Sequence, residues 1–231
     1  DAVLRLNHPN IVPIFDVGAD FIASAYIEGF DLRHRMRSPM DLQEILEIGC
    51  AVGSALAHAH QQFVVHCDVK PANILIDRRG TAYLADFGVA YILASGSQAN
   101  ARTAGGTPSF MAPEHAKGQP IPASDQFALA RTILAMITGG DLSPRAIGAL
   151  GKHPSAITGK VLSLIERAVS ERPEQRFPSM DAFVQAFREI VDSTDLKSAR
   201  LGRLARPLRS ARRFEWTRGA VDTSKIGQSV Q

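Results

Sequence analysis

The amino-acid sequence predicts an α+β fold, with short strands clustered early in the chain and helices dominating later. Short runs of β-branched and other apolar residues between turn residues are typical of strands. Such runs lie at 11–15, 21–27, 63–65, 74–76 and 82–84. Apolar residues follow helical spacing over 42–59 and again beyond residue 123. With 45% apolar and 21% charged residues, the chain has the composition of a protein with a buried core.

Local signals place the boundaries of several elements. Asp41 and Glu44 form a capping pair that predicts the start of the first long helix. Residues 77–80 (Asp-Arg-Arg-Gly) predict a turn between two strands, and residues 91–111, rich in Ser, Gly, Ala and Thr, predict a long mobile loop. Three further helices are expected, from Ser124 or Asp125 to Ile137, from Gly159 to Val169, and after the cap Ser179 through Phe183, Phe187 and Ile190.

Charge is unevenly distributed along the chain, whose net charge is +3. Residues 193–231 carry nine Lys or Arg against three Asp or Glu, whereas residues 1–192 carry 17 against 20. Hydrophobic periodicity fades in this basic tail, so we expect a flexible linker. Its arginines recur every third residue from Arg200 to Arg212. Contact with an anionic membrane surface or with nucleic acid is the alternative, and no specific nucleic-acid partner is expected.

The cysteine count and the hydropathy pattern exclude some classes of protein. Cys50 and Cys67 are too few for a disulfide framework and lack the spacing of a zinc site, so a reducing, cytoplasmic location is the default expectation. No apolar run reaches the ~18–20 residues of a membrane helix. The chain does not begin with Met and opens as if inside a helix, so we do not expect its first residue to be a natural start.

Three motifs carry polar residues at characteristic spacings. The first, residues 66–73, reads His-Cys-Asp-Val-Lys-Pro-Ala-Asn. The second, residues 86–88, is Asp-Phe-Gly and follows Asn73 by thirteen residues, after a strand, a turn and a strand. The third, residues 105–114, reads Gly-Gly-Thr-Pro-Ser-Phe-Met-Ala-Pro-Glu. The first motif alone would also fit a polar turn between two strands, and an Asp-Phe-Gly triplet alone occurs by chance, but all three motifs occur in one order within a single chain.

Together the motifs resemble the catalytic loop, the D-F-G segment and the end of the activation segment of eukaryotic-type serine/threonine protein kinases. The similarity extends over about residues 7–190 and is greatest to the bacterial Hanks-type family. It implies a kinase-like fold over residues 1–192, with a partial β-rich N-terminal lobe and a largely helical C-terminal lobe. It also implies ATP and Mg²⁺ as cofactors, a protein substrate that presents Ser or Thr, and residues 193–231 as the basic tail.

The resemblance also implies roles for individual residues. Asp68 would accept or orient the proton of the substrate hydroxyl, and Lys70 would neutralise charge on the transferred phosphoryl group. Asn73 and Asp86 would hold Mg²⁺, which needs few protein ligands. Thr107 would face the substrate near Asp68 and Lys70.

The same resemblance predicts the residues around the nucleotide. Ser24 would be the gatekeeper behind the adenine, and Ala25 to Ile27 would form the hinge whose backbone groups bond adenine. Asp31 would reach the ribose, and Leu75 would form the floor under the adenine, although Leu75 fits an ordinary core position equally well. Two structural contacts are also implied, an ion pair between Glu114 and Arg176 and a brace of the catalytic loop by Asp125.

Three parts of the family pattern have no counterpart in this sequence. They are the glycine-rich loop, the strand lysine and the glutamate that pairs with that lysine. The chain is therefore expected to be either a fragment of a complete kinase or a naturally truncated pseudokinase that acts as a binding or scaffold module. The intact set of Asp68, Lys70, Asn73 and Asp86 favours the fragment.

Cys67 replaces the family arginine that normally receives a phosphorylated activation-loop residue. Because cysteine does not pair with phosphate in that way, we expect activity that does not depend on loop phosphorylation through this position. A buried, unreactive thiol is favoured over a redox role for Cys67.

Overall fold

The computed structural model describes residues 2–18, 21–87, 91–92, 108–150 and 156–192, and it has the α+β organisation that the sequence predicts. The strands are β1 (Ile14–Val17), β2 (Ile22–Ser24), β3 (Gly29–Asp31), β4 (Val64–Val65), β5 (Ile74–Asp77), β6 (Ala82–Leu84) and β7 (Tyr91–Ile92). The helices are α1 (Leu32–Arg35), α2 (Leu42–Gln61), α3 (Pro113–Ala116), α4 (Pro122–Thr138), α5 (Pro144–Leu150), α6 (Ala156–Ala168) and α7 (Met180–Asp192). Short 3-10 helices lie at Val3–Arg5, Pro71–Asn73, Pro108–Phe110 and Pro173–Gln175.

Helix α2 is the element around which the helical part packs. Asp41 caps it, with Oδ1 accepting a hydrogen bond from the Glu44 N–H at 2.8 Å, as the sequence predicts. Its buried face contacts both α4 and α7, and Leu46 and Leu56 on that face are fully buried. Among the described residues, no helix is both long and apolar enough to cross a membrane.

Within the described residues, the strands form three small antiparallel sheets, β1–β2, β3–β5–β6 and β4–β7. A segment ahead of β1 extends the second sheet, because the Leu84 N–H donates to the Asn10 carbonyl at 2.7 Å and the Val12 N–H donates to the Leu84 carbonyl at 2.9 Å. The Asn10 side-chain amide donates to the Ala82 carbonyl at 2.9 Å. These bonds hold β6 along its length, and β6 leads directly into Asp86.

Some predicted boundaries were wrong for identifiable reasons. Helix α4 begins at Pro122, because proline fits the first turn of a helix. Ser124 therefore lies inside the first turn, where its Oγ accepts from the Ile121 N–H at 3.1 Å. Within the predicted loop at 91–111, Tyr91–Ile92 form β7 by pairing with β4, and Pro108–Phe110 form a 3-10 turn. Residues 93–107 of that segment, and the predicted tail at 193–231, lie outside the described residues.

Two glycines allow the close approach of the central helices. A Cβ at Gly53 would lie 2.4 Å from Cγ2 of Val184 on α7 and 3.3 Å from Cδ2 of Leu129 on α4. A Cβ at Gly49 would lie 3.0 Å from Cδ1 of Ile133. Glycine is unfavourable inside a helix, and at these two positions it leaves room for side chains of α4 and α7.

We expect Gly53→Ala to lower the free energy of unfolding by about 1 kcal/mol, because overpacking at the short Val184 side chain outweighs the better helix propensity of alanine. Urea unfolding followed by circular dichroism would measure the change. Gly148→Ala in α5 is the matched control, since a Cβ there meets no atom within 4 Å. We expect that control to be neutral or stabilising by up to about 1 kcal/mol. Equal effects of the two substitutions would contradict the packing argument.

Candidate active site

The predicted catalytic loop lies between two elements of defined geometry. Strand β4 ends at Val65, and the 3-10 helix Pro71–Asn73 runs without interruption into β5 at Ile74. The Pro71 ring suits the first position of that short helix, which needs no N–H there. Asp68 and Lys70 therefore lie on a short segment that is fixed at both ends.

Asp68 is a buried carboxylate held by two neighbours from its own loop. Its Oδ2 accepts from Asn73 Nδ2 at 2.8 Å and lies 2.7 Å from Lys70 Nζ. The side chain of Asp68 is 8% exposed and that of Lys70 is 20% exposed. The three residues predicted to be catalytic thus form one contiguous cluster, with a cation and an amide on the same carboxylate oxygen.

The Asn73 side chain has a defined orientation. Its Nδ2 donates to the Asp68 backbone carbonyl at 2.9 Å as well as to Oδ2 of that residue. The amide nitrogen has two hydrogens, so both are used in these bonds. Its oxygen is therefore the atom left to act as a metal ligand, which agrees with the preference of Mg²⁺ for oxygen.

Asp86 is exposed and lies just beyond β6. The preceding residue, Ala85, donates its N–H to the Asn73 carbonyl at 2.9 Å, so the segment carrying Asp86 is bonded directly to the catalytic loop. The Asp86 backbone has φ of 63°, a left-handed conformation that is uncommon outside glycine and occurs most in Asp and Asn.

His66 links the two motifs, a role that the sequence analysis did not assign. Its Nδ1 accepts from the Asp68 N–H at 3.2 Å, so the ring is a neutral tautomer whose Nε2–H donates to the Ala85 carbonyl at 3.0 Å. The ring also meets the buried ring of Phe87 edge to face, with centroids 4.6 Å apart. The feature of the sequence that points to this role is the position of His66 at the start of the 66–73 motif.

Asp125 braces the catalytic loop, as predicted. Its Oδ2 accepts from the His66 N–H and from His60 Nε2, both at 2.8 Å, and its Oδ1 accepts from the Cys67 N–H at 2.9 Å. Burial alone would raise the pKa of Asp125, but the hydrogen bond and charge of His60, with further help from His66, hold that pKa below its usual value. His60, for which the sequence predicts no functional role, is thus a polar partner of this buried carboxylate.

The register of the central sheet brings two predicted nucleotide residues together, because Asp31 in β3 pairs with Leu75 in β5. Leu75 is half-buried. Asp31 also caps α1, with Oδ1 accepting from the His34 N–H at 2.9 Å and Oδ2 from Arg33 Nε at 3.1 Å. Burial would raise the pKa of Asp31, but the bonds from Arg33 and His34 outweigh it and lower that pKa.

The remaining predicted nucleotide residues follow β2. Ser24 ends that strand and is exposed, while Ala25 and Ile27 are half-buried. The Ala25 N–H donates to the Pro13 carbonyl at 2.8 Å. Any contact of Ala25 with adenine would therefore use its carbonyl.

The predicted ion pair of Glu114 and Arg176 is present and bidentate. Arg176 Nη1 lies 2.7 Å from Oε1 of Glu114, and Nη2 lies 2.9 Å from Oε2. Ser124 Oγ donates to the same Oε1 at 2.7 Å, and the Arg176 side chain is fully buried. Burial would raise the pKa of Glu114, but the hydrogen bonds from Arg176 and Ser124 lower it below its usual value.

Two predicted residues, Gly88 and Thr107, lie outside the described residues, as do the loop positions Ser95, Ser97 and Thr103.

Comparisons with known proteins give the class of this chain. Residues 1–188 match the family described as protein kinase domain. The serine/threonine-protein kinase PrkC of Bacillus subtilis is 31% identical over 218 residues, which cover 84% of this chain and 33% of that protein. Serine/threonine-protein kinase pkn3 of Myxococcus xanthus is 34% identical over 245 residues (90% and 45%). PknB of Mycolicibacterium smegmatis is 29% identical over 199 residues (74% and 32%).

The chain therefore belongs to the protein kinase family, and its relatives place it among the Hanks-type serine/threonine kinases of bacteria, as the sequence predicts. The match spans between 32% and 45% of the length of these three relatives.

We expect Arg176→Met to lower the free energy of unfolding by about 3–5 kcal/mol at neutral pH, because it removes a fully buried cation and leaves the Glu114 carboxylate, which is only 13% exposed, without it. The loss should shrink as the pH falls below 4.5. The ordinary pKa of this carboxyl, taken for the unfolded chain, is 4.5, and the pKa of Glu114 in the folded protein lies below it. The stabilising contribution of Glu114 is therefore present above pH 4.5 and is lost as the pH falls through the folded-state pKa.

Urea unfolding at a series of pH values between neutral and acidic would measure this dependence. Arg172→Met is the control, since Arg172 is exposed and a surface substitution changes stability by at most about 0.5 kcal/mol. A loss for Arg176→Met that stays constant with pH would show that the ion pair is not its cause.

Proposed function

We propose that this chain carries the catalytic half of a kinase that transfers the γ-phosphoryl group of ATP to Ser or Thr hydroxyls of a protein substrate. The observation that carries the proposal is the cluster of Asp68, Lys70 and Asn73 on one fixed loop. Membership of the protein kinase family and the names of the relatives support the same reaction.

The chemistry follows from the groups in the cluster. The substrate hydroxyl oxygen forms a bond to the γ-phosphorus, the bond from that phosphorus to the bridging oxygen breaks, and ADP leaves. Asp68 accepts the hydroxyl proton, and the Lys70 ammonium offsets charge on the transferred group. Lys70 Nζ already lies 2.7 Å from Asp68 Oδ2, so the cation is held beside the group that accepts the proton.

The residues present fit a magnesium site with few protein ligands. Asn73 would offer its amide oxygen and Asp86 its carboxylate. No group of three or more His, Cys, Asp or Glu side chains in the described part of the chain could hold a metal. That arrangement suits Mg²⁺, which keeps several waters and takes one or two carboxylates with substrate phosphates. When bound, Mg²⁺ would neutralise charge on the ATP phosphates.

Asp31, Leu75 and the residues after β2 would complete a nucleotide pocket. The pairing of Asp31 with Leu75 supports this placement. A ribose contact from Asp31 would compete with its bonds to Arg33 and His34, so this role is the least supported of the set. We retain residues 1–192 as the kinase unit and residues 193–231 as a separate basic tail.

We expect Asp68→Asn to lower kcat by about 10²–10⁴-fold with little change in the KM for ATP, because it removes the proton acceptor but no nucleotide contact. Asp86→Asn should instead raise the Mg²⁺ concentration needed for half-maximal rate. The measurement is phosphorylation of a Ser/Thr peptide by the full-length protein that contains this chain.

Asp181→Asn in α7 is the matched control, since Asp181 is exposed and lies outside the cluster. Activity of Asp68→Asn equal to that of the unmodified protein would refute the role given to Asp68. The pseudokinase alternative, which the comparisons do not favour, predicts no transfer by any form. Mg-ATP binding by this chain, compared with a chain extended upstream, would separate the two.

We expect simultaneous replacement of Ser95, Ser97 and Thr103 by Ala to leave the rate within about twofold, because Cys67 offers no guanidinium to a phosphorylated loop residue. The Cys67 N–H instead donates to Asp125, and its thiol donates to the Val65 carbonyl at 3.5 Å. Initial rates of the triple variant would be compared with those of the unmodified protein measured both before and after phosphatase treatment. Loss of activity in the variant would contradict the proposal.

A further inference from the structure

Arg131 is an unexpected residue in helix α4. Every other side chain from Gln126 to Ile137 is uncharged, and the neighbours Ala130 and Thr132 are fully buried. Arg131 itself is half-buried, and this burial lowers the pKa of its guanidinium. A cation in such a position is costly unless it has a partner.

The partner found within the chain satisfies only part of this side chain. Arg131 Nε donates to the Ser109 carbonyl at 2.8 Å. A guanidinium has five N–H donors, so four remain on the two terminal nitrogens. Among the described residues, Arg131 has no second hydrogen bond and no ion pair with a carboxylate. Residues 88–107, which precede Ser109, contain no Asp or Glu.

The bond to Ser109 fixes where the guanidinium lies. Ser109 is exposed and belongs to the 3-10 turn Pro108–Phe110, which packs against α4. The same stretch of chain is held to α4 again at Glu114, through Ser124. Arg131 therefore lies at one end of the contact between α4 and residues 108–114, opposite the contact of Ser124 with Glu114. Its guanidinium group lies against an exposed turn.

Helix α4 also sets the distance from Arg131 to the candidate catalytic loop. Asp125 bonds that loop directly, and it lies six residues before Arg131. Six residues of helix span ~9 Å. An extended peptide advances ~3.3 Å per residue, so this distance corresponds to roughly three residues.

We propose that Arg131 is a specificity-determining residue that binds an acidic side chain of the protein substrate, about two to four residues from the Ser or Thr that is phosphorylated. The proposal rests on the kinase function above. The planar guanidinium fork is suited to bidentate contact with a carboxylate, and a lysine at the same position would not reproduce it. Because Nε is already bonded to Ser109, the fork is held in place before the substrate arrives.

The test uses the full-length protein and a set of Ala/Gly peptides with one Ser, in which a single Glu, Gln or Lys moves from four residues before the Ser to four after it. We expect Glu to raise kcat/KM about tenfold over Gln at one of these positions. Arg131→Gln should abolish that preference, and Arg131→Glu should replace it with a preference for Lys. Arg131→Lys should retain only part of it. Arg188→Gln, an exposed arginine on α7, is the matched control.

Two results would overturn the inference. One is a peptide preference that is the same in the unmodified protein and in Arg131→Gln. The other is a uniform loss of rate in Arg131→Gln for all peptides, which would mean that Arg131 only supports the turn at Ser109. Thermal unfolding of each variant shows whether it is folded, and Arg131→Lys keeps the test valid if Arg131→Glu does not fold.

A second readout separates this inference from the proposed function. Fluorescence anisotropy measures binding of the Glu and Gln peptides without phosphoryl transfer. Selective binding of the Glu peptide that depends on Arg131, in a protein with no transferase activity, would refute the kinase proposal alone. Transferase activity with no acidic preference in rate or binding would refute the role of Arg131 alone.

Discussion

The buried carboxylate of Asp125 is the constraint on which the candidate site depends. Its side chain is 1% exposed, and it accepts hydrogen bonds from two successive backbone N–H groups of the catalytic loop and from His60. A buried carboxylate without such donors would carry a large desolvation cost, so the loop and the charge stabilise each other. Because Asp125 is part of α4, the position of the loop is set by the packing of α4 against α2.

From this carboxylate, a chain of polar contacts reaches Asn73, Asp68 and Lys70, and also Ala85, the residue before Asp86. His66 Nε2 bonds the carbonyl of Ala85. Asn73 donates to Asp68 through its side-chain amide and accepts from the Ala85 N–H through its backbone carbonyl. Asp68 and Asp86 are therefore positioned by one connected set of polar contacts. A change in the packing of the helices would move both carboxylates together.

The sequence predicted those features that depend on neighbours in the chain. The Asp41 cap of α2 and the turn at 77–80 are local, and the motif spacings identified the loop containing Asp68. The sequence did not predict those contacts whose two partners come from distant segments of the chain. The bond of His60 to Asp125, 65 residues away, and the pairing of β7 with β4 depend on tertiary packing. The signal for Arg131, a single cation within an apolar helix, was present in the sequence, but its partner at Ser109 was not.

Two of the three non-glycine residues with positive φ in the described part of the chain lie at this site, and the third, Phe63, follows α2. Cys67 and Asp86 both have positive φ, at 69° and 63°, a conformation that costs a non-glycine residue about 1–2 kcal/mol. Such strain persists only where surrounding contacts outweigh it. At Cys67 the outweighing contact is the bond from its N–H to Asp125. At Asp86 it is the fixation on either side, by the Ala85 bond to Asn73 and the packing of Phe87 on His66. The helical part of the protein thus holds the site in a geometry that its own backbone would not adopt, which is the physical reason to regard it as functional rather than as an ordinary polar turn.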